Sequence, residues 1–187
     1  MGRIEVLCIQ PCDLERALAA ELSRLSRQIW PGGPDSLVQT FFQPPADPPD
    51  LPAPRGRMFH VIHQERQVAA MGISFGRRIM TAAGSMTVLA LAGVCTRPER
   101  RGQGFGGAIV RSAFDRVDRG DFPLSLYQTT PPVRAFYQKL GARVVDNLVI
   151  NSLKDPHKRA FWDEVVMIYP ATAPWPAGTI DLLGPGY

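Results

Sequence analysis

The sequence predicts an α/β domain in which a mixed, mostly antiparallel sheet of about seven strands is flanked by helices. Three observations point there. Strand-like runs and helical stripes alternate in the order β-α-α-β-β-β-α-β-α-β-β, the middle strands follow one another around short turns, and a glycine-rich basic turn separates an apolar strand from an amphipathic helix. A chain of 187 residues suits one domain over residues 1–187 with one core.

Arg3 to Ile9 alternates in part and reads as a first strand, ended by Pro11, which has no N–H to give a ladder. Asp13 is placed to cap a helix in which Leu14, Leu18, Leu22, Leu25 and Ile29 recur every three or four residues until Pro31-Gly32-Gly33-Pro34 breaks it. Ser36 to Phe42 reads as a short second helix, and the proline-dominated stretch over residues 43–54 as an extended surface loop. Phe59 to Gln64 and Val68 to Met80 form strands around Glu65-Arg66-Gln67, and Met86 to Thr96 forms the next.

Beyond the glycine turn, Phe105, Ile109, Val110, Ala113, Phe114 and Val117 make a core-facing helical stripe, with Arg111 and Asp115 able to pair on the wet face. Phe122 to Gln128 is a fifth strand, and Pro131 to Leu140 a short helix that Gly141 suits as a C-terminal cap. Arg143 to Ile150 and Val165 to Tyr169 are the sixth and seventh strands. The tail over residues 170–187 keeps large apolar residues as far as Tyr187, which predicts that it docks on the body of the fold.

The net charge is +4 and the isoelectric point about 9.2, yet the arginines are scattered, with no basic run or aromatic-basic stripe, so a nucleic-acid partner is not expected. No stretch approaches the ~18 apolar residues of a membrane span, and Met1-Gly2-Arg3-Ile4-Glu5 does not open like a signal peptide, which predicts a cytoplasmic protein with no membrane partner. Cys8, Cys12 and Cys95 are odd in number and lack metal-ligand spacing, so they read as small buried hydrophobes with no disulfide and no metal. His60 and His63 fall on opposite faces of a strand, and His157 in a charged loop, so the three histidines read as structural or solvated.

The chemistry concentrates between Val94 and Gly107. Glycines let a backbone come close to a ligand, successive inward N–H groups form an anion nest, and the helix behind offers unpaired donors and a positive dipole end. A phosphate-bearing ligand is therefore expected, with Arg97, Arg100 and Arg101 beside it. The P-loop pattern needs Lys and then Ser or Thr after its last glycine, where Ala108 and Ile109 stand. Gly102, Gly104 and Gly107 match the dinucleotide fingerprint literally, but the next strand ends in Gln128, where that pattern expects an acid about 20 residues on.

Arg101-Gly102-Gln103-Gly104-Phe105-Gly106, preceded by Val94 and Pro98, resembles motif A of the GNAT superfamily of N-acyltransferases, and Ala135 to Ala142 resembles its motif B. The resemblance covers about Met86 to Ile150 and implies the GNAT fold, with acetyl-CoA as acyl donor, no metal, and a small-molecule amine as acceptor; it leaves room for a homodimer. It further implies that the main chain of Val94, Cys95 and Thr96 pairs with the pantetheine arm, and that an N–H near Cys95 faces the thioester oxygen. The N–H groups of Gly102, Gln103, Gly104, Phe105, Gly106 and Gly107, with Arg101, would hold the pyrophosphate. Tyr137 falls where the family places a general acid for the thiolate, and a phenol near pKa 10 is protonated at neutral pH.

Two positions depart from the family pattern. Thr130 stands where an Asn commonly touches the cofactor, and Ala92 where a Glu often helps deprotonate the amine. Met86 to Thr96 holds no acid, which leaves Asp181 and the Tyr187 carboxylate as candidate bases should the tail reach the site. Cys95 reads as a packing residue, since no His-Asp or His-Asn pair accompanies it and direct transfer is the family's usual course. The tail resembles that of aminoglycoside 2′-acetyltransferases and rhizobial nodulation acyltransferases, which implies that Trp175 or Tyr187 could stack on an amino-sugar. The resemblance also gives the proline loop a role as a lid over the acceptor. The alternatives are a protein Lys or N-terminal acetyltransferase, a non-catalytic CoA-binding protein, and a dinucleotide-binding protein.

Overall fold

The computed structural model describes residues 4–31 and 56–187. The expected helix from Ser36 to Phe42 and the proline loop over residues 43–54, lid role included, lie outside the described residues. The strands are β1 (Leu7–Ile9), β2 (Met58–Gln64), β3 (Gln67–Thr81), β4 (Gly84–Thr96), β5 (Ser125–Thr129), β6 (Arg143–Val145), β7 (Val149–Asn151), β8 (Asp155–Arg159), β9 (Val165–Tyr169) and β10 (Ile180–Asp181). The helices are α1 (Arg16–Ile29), α2 (Phe105–Asp118) and α3 (Pro131–Lys139). The result is a mixed, mostly antiparallel sheet with flanking helices, as expected; β4 with β5 and β7 with β10 pair in parallel, and the other pairs resolved among the described residues are antiparallel.

More strands form than the sequence pattern predicts. Asp146-Asn147-Leu148 splits the expected sixth strand into β6 and β7, and the charged segment read as a loop pairs with β7 as β8, with Ile150 opposite Arg159. The tail contributes β10, whose Asp181 pairs with Met80 of β3 and with Ile150 of β7. Such two- to five-residue strands are fixed by tertiary pairing rather than by their own periodicity.

The chain forms two compact units, Met1–Ser74 with Gly93–Ser112, and Phe75–Ala92 with Ala113–Tyr187. In the first, β2 pairs antiparallel with both β1 and the first half of β3. Glu65 and Arg66 turn the hairpin with φ of 49° and 64°, the two-residue geometry that matches strand twist, although neither is a glycine. Asp13 does not cap α1. It ends a 3-10 turn over Pro11–Asp13, and α1 opens at Arg16 after Glu15, which makes no side-chain cap bond. Leu22 and Leu25 bury the face of α1, while Ile62, Ala69, Ala70, Phe105 and Ile109 form a core cluster. Gly72 permits that packing: a Cβ there would stand 2.6 Å from the Ile109 side chain.

In the second unit β5 lies between β4 and β9, with Leu126 opposite Ile168 and Tyr127 opposite Met167. The tail is part of this core. The Tyr187 ring meets Phe75 and Phe161 edge-on at 5.4 and 5.1 Å, its hydroxyl donates to Leu126 O at 2.9 Å, and Gln128 Nε2 donates to its main-chain oxygen at 2.6 Å. Arg77 donates to the carbonyls of Leu182 and Pro185, and Gly186 passes so near Ala160 that a Cβ would stand 2.2 Å from the carbonyl oxygen.

Candidate active site

Two features of β4 prepare the candidate ligand site. Its parallel ladder with β5 has two rungs, Leu89 with Ser125 and Ala90 with Leu126, and no further rung is made among the described residues. Gly93 then takes φ 59°, a left-handed kink inside a strand that a residue with a Cβ adopts only under strain. The sequence signal for this is a lone glycine in a strand pattern, which commonly marks a bulge or a close backbone approach.

Val94, Cys95 and Thr96 follow the kink, and the chain crosses a 3-10 turn at Pro98–Arg100 into the glycine loop. Gly102 and Gly104 have φ of 78° and 83°, so this backbone requires glycine at both. The first intrahelical bond of α2 runs from Ala108 N–H to Gly104 O at 3.0 Å, which leaves the N–H groups of Phe105, Gly106 and Gly107 without an acceptor inside the helix. A Cβ added at Gly102 or Gly107 would meet nothing within 4 Å, so open space adjoins the loop. Glycine torsions, free helix-end donors and open space together suit a pyrophosphate.

The arginines differ in what holds them. Arg97 donates to Val68 O at 3.1 Å and to Gln28, and Arg100 pairs with Glu65, so both are held by the protein's own groups. Arg101 is exposed and has no ion pair among the described residues, which makes it the cation available to an anionic ligand. Cys95 is buried. Burial pushes its thiol up to about 12, against the opposing effects of a Met71 backbone hydrogen bond and the charges of Arg101 and Arg97. Cys8 and Cys12 are exposed, contrary to the expectation that all three thiols are buried: among the described residues β1 pairs with β2 alone, and Cys12 lies in the 3-10 turn.

In the second unit, Thr130 takes the N-cap position of α3 without a side-chain cap bond; its carbonyl receives the N–H groups of Val133 and Arg134. Its exposed hydroxyl is left for other contacts. Tyr137 is 6% exposed, with its ring 4.8 Å from that of Tyr127 and 5.0 Å from that of Phe136. Burial, and then the charge of Asp163, raise its hydroxyl above the ordinary tyrosine range, so it keeps its proton at neutral pH.

Ala92 is buried, and β4 carries no carboxylate. Asp181 is engaged within the tail. Burial raises its pKa, but hydrogen bonds from Ser152 and Leu183 and the charge of Arg77 outweigh this and hold it below the usual range, as a clasp for the tail. Of the two tail aromatics expected to stack on an acceptor, Tyr187 is instead enclosed by Phe75 and Phe161, while the partly buried Trp175 indole donates to Asn147 Oδ1 at 2.7 Å. Asp163, which the sequence pattern does not single out, follows β8, and its charge reaches Tyr137.

The histidines divide by burial. His60 is fully buried, with Nε2 2.8 Å from Ser74 Oγ and Nδ1 2.9 Å from Ser112 Oγ, whereas His63 lies 3.7 Å from Glu21 near the surface. Among the described residues no group of three His, Cys, Asp or Glu side chains could hold a metal, and no helix is long and apolar enough to cross a membrane.

Residues 39–145 match the model of an acetyltransferase (GNAT) domain. No curated protein matches the chain. Among solved structures, an acyl-CoA N-acyltransferase from Pseudomonas aeruginosa aligns with a TM-score of 0.61 at 15% identity, over 88% of this chain and 97% of its own. Escherichia coli ElaA aligns with 0.58 at 13% identity, over 89% and 99%. A GCN5-related N-acetyltransferase from Kribbella flavida aligns with 0.55 at 19% identity; the match takes in 75% of this chain but only 34% of that one. At these identities the likeness is one of fold.

Proposed function

Because the chain belongs to the GNAT acetyltransferase family, we propose that it moves an acetyl group from acetyl-CoA directly to a primary amine of a small molecule. The observation that carries this reading is the loop in which left-handed Gly102 and Gly104 open α2 beneath free space, immediately after a β4 whose ladder with β5 has ended. Gly102 to Gly107 and Arg101 hold the pyrophosphate in this reading, and the main chain of Val94, Cys95 and Thr96 aligns the pantetheine. A backbone N–H near Cys95 steadies the negative charge that grows on the thioester oxygen, and fixed donors of this kind often supply most of the rate gain in acyl transfer.

Tyr137 supplies the proton that the departing thiolate needs. Its phenol holds its proton across the neutral range, as a general acid must. Direct transfer is favoured over an acyl-cysteine route because the Cys95 thiol, pushed up to about 12, is almost wholly protonated and a poor nucleophile.

The test is thiol release from acetyl-CoA across a panel of small amines, with wild type and Tyr137→Phe. Transfer is expected, with kcat for the variant lower by about a hundredfold and CoA affinity unchanged. No release with any amine would favour a second reading, CoA binding without catalysis, for which Ala92 in an acid-free β4 is the specific support.

A further inference from the structure

An aliphatic amine is an ammonium ion near neutral pH and must lose a proton before it can attack a thioester. β4 offers no base for this, and the Asp181 carboxylate is engaged by Ser152 and Leu183. A different carboxylate stands open. We propose that Asp163 is the general base, and that the cavity it lines in the second unit receives the amine. This rests on the acetyltransferase reading above.

The position of Asp163 follows from strand register. Thr129, the last residue of β5, pairs with Val165 of β9, so Asp163 lies just past the sheet edge at the level where Thr130 and Pro131 begin the helix that carries Tyr137. Its backbone N–H donates to Gln128 Oε1 at 2.8 Å, which fixes the residue to the end of β5. Its carboxylate, half-buried, makes no ion pair among the described residues, and its charge acts on the Tyr137 hydroxyl. Burial also raises its own pKa, the direction that makes a carboxylate a stronger base.

The cavity has a volume of about 320 Å³ and is lined by Arg134, Asp146, Arg159, Phe161, Asp163 and Glu164 among others. That volume suits a small molecule rather than a folded partner. Three carboxylates meet two arginines around it, so its lining favours an ammonium group. Asp146 and Glu164 are exposed, which leaves Asp163 as the carboxylate drawn in from solvent.

In the step, the ammonium gives one proton to an Asp163 carboxylate oxygen. The neutral nitrogen attacks the thioester carbonyl carbon, the C–N bond forms, and the C–S bond breaks. Sulfur takes the Tyr137 hydroxyl proton, the nitrogen's second proton restores the phenol, and Asp163 releases its proton to water. The net reaction is ammonium and thioester to amide, thiol and one proton.

The experiment compares wild type, Asp163→Asn and Asp163→Glu by thiol release with an aliphatic primary amine and with an aromatic amine or hydrazide that is already neutral, alongside a calorimetric titration with CoA. Asp163→Asn is expected to lower kcat for the aliphatic amine by about a hundredfold but for the neutral acceptor by no more than about threefold, with CoA affinity unchanged and part of the loss restored in Asp163→Glu. Equal loss with both acceptors, or no loss with either, overturns the assignment while the acetyltransferase reading stands. If wild type releases no thiol with either acceptor, both fall, and the CoA titration then separates non-catalytic CoA binding from no binding.

Discussion

The rings of Tyr127 and Tyr137 lie 4.8 Å apart at an angle of 50°, and the Tyr127 hydroxyl is buried without a hydrogen-bond partner among the described residues. An unpaired buried hydroxyl costs about 1–3 kcal/mol relative to a paired or solvated one. Tyr127 sits in the middle of β5 with its ring also 6.0 Å from Phe114, so its apolar packing is satisfied while its polar atom is not. Tyr127→Phe should therefore raise stability by about 1 kcal/mol, read as an increase of about 2–4 °C in melting temperature. A lower melting temperature would mean that the hydroxyl has a partner in the folded state.

Stability should also depend on the tail. The ring, the hydroxyl bond to Leu126 O and the buried Ile180 and Leu182 make the last residues part of the second unit's core. Tyr187→Ala should cost about 3–5 kcal/mol, the usual range for emptying a buried aromatic site. Urea denaturation measures it, and an unchanged midpoint would show that the tail does not dock. Deletion of residues 178–187 should lower stability further.

Cys95 makes stability fall in alkali. The folded thiol keeps its proton to about 12 while an ordinary thiol loses it near 9.0, so between these values the unfolded chain binds fewer protons. Unfolding is then favoured as pH rises, by up to about 1.4 kcal/mol per pH unit from this group. At lower pH both states hold the proton and the thiol has no effect on the slope. Cys95→Ala should show a shallower loss of stability than wild type in parallel denaturation series carried through the alkaline range, and identical slopes would contradict the burial argument.

Much of the candidate site's local geometry could be read from the chain because its physics is local. A left-handed turn needs Gly102 and Gly104 wherever they occur, and the stripe from Phe105 to Val117 fixes the helix behind them. Tyr137 was legible for a similar reason, in a short helix bounded by Pro131 and Gly141. Asp163 was not, because its significance comes from the β5–β9 register and from Gln128, which is 35 residues away in sequence. Asp13 misled because a cap residue and a 3-10 turn after Pro11 share the same local sequence. The arginines misled for another reason: charge shows that Arg97 and Arg100 could meet an anion, but not that Val68 O and Glu65 already hold them.

The glycine loop is the central claim, and calorimetry with coenzyme A and with NAD, on wild type and Gly104→Ala, tests it most directly. Gly104 has φ 83° and a Cβ there would approach Ile4 at 3.7 Å, so the substitution strains the loop by about 1–2 kcal/mol with little steric cost. The expected result is that coenzyme A binds wild type, binds Gly104→Ala about tenfold or more weakly, and NAD binds neither. Coenzyme A binding that ignores the substitution, or NAD binding in its place, would contradict the account.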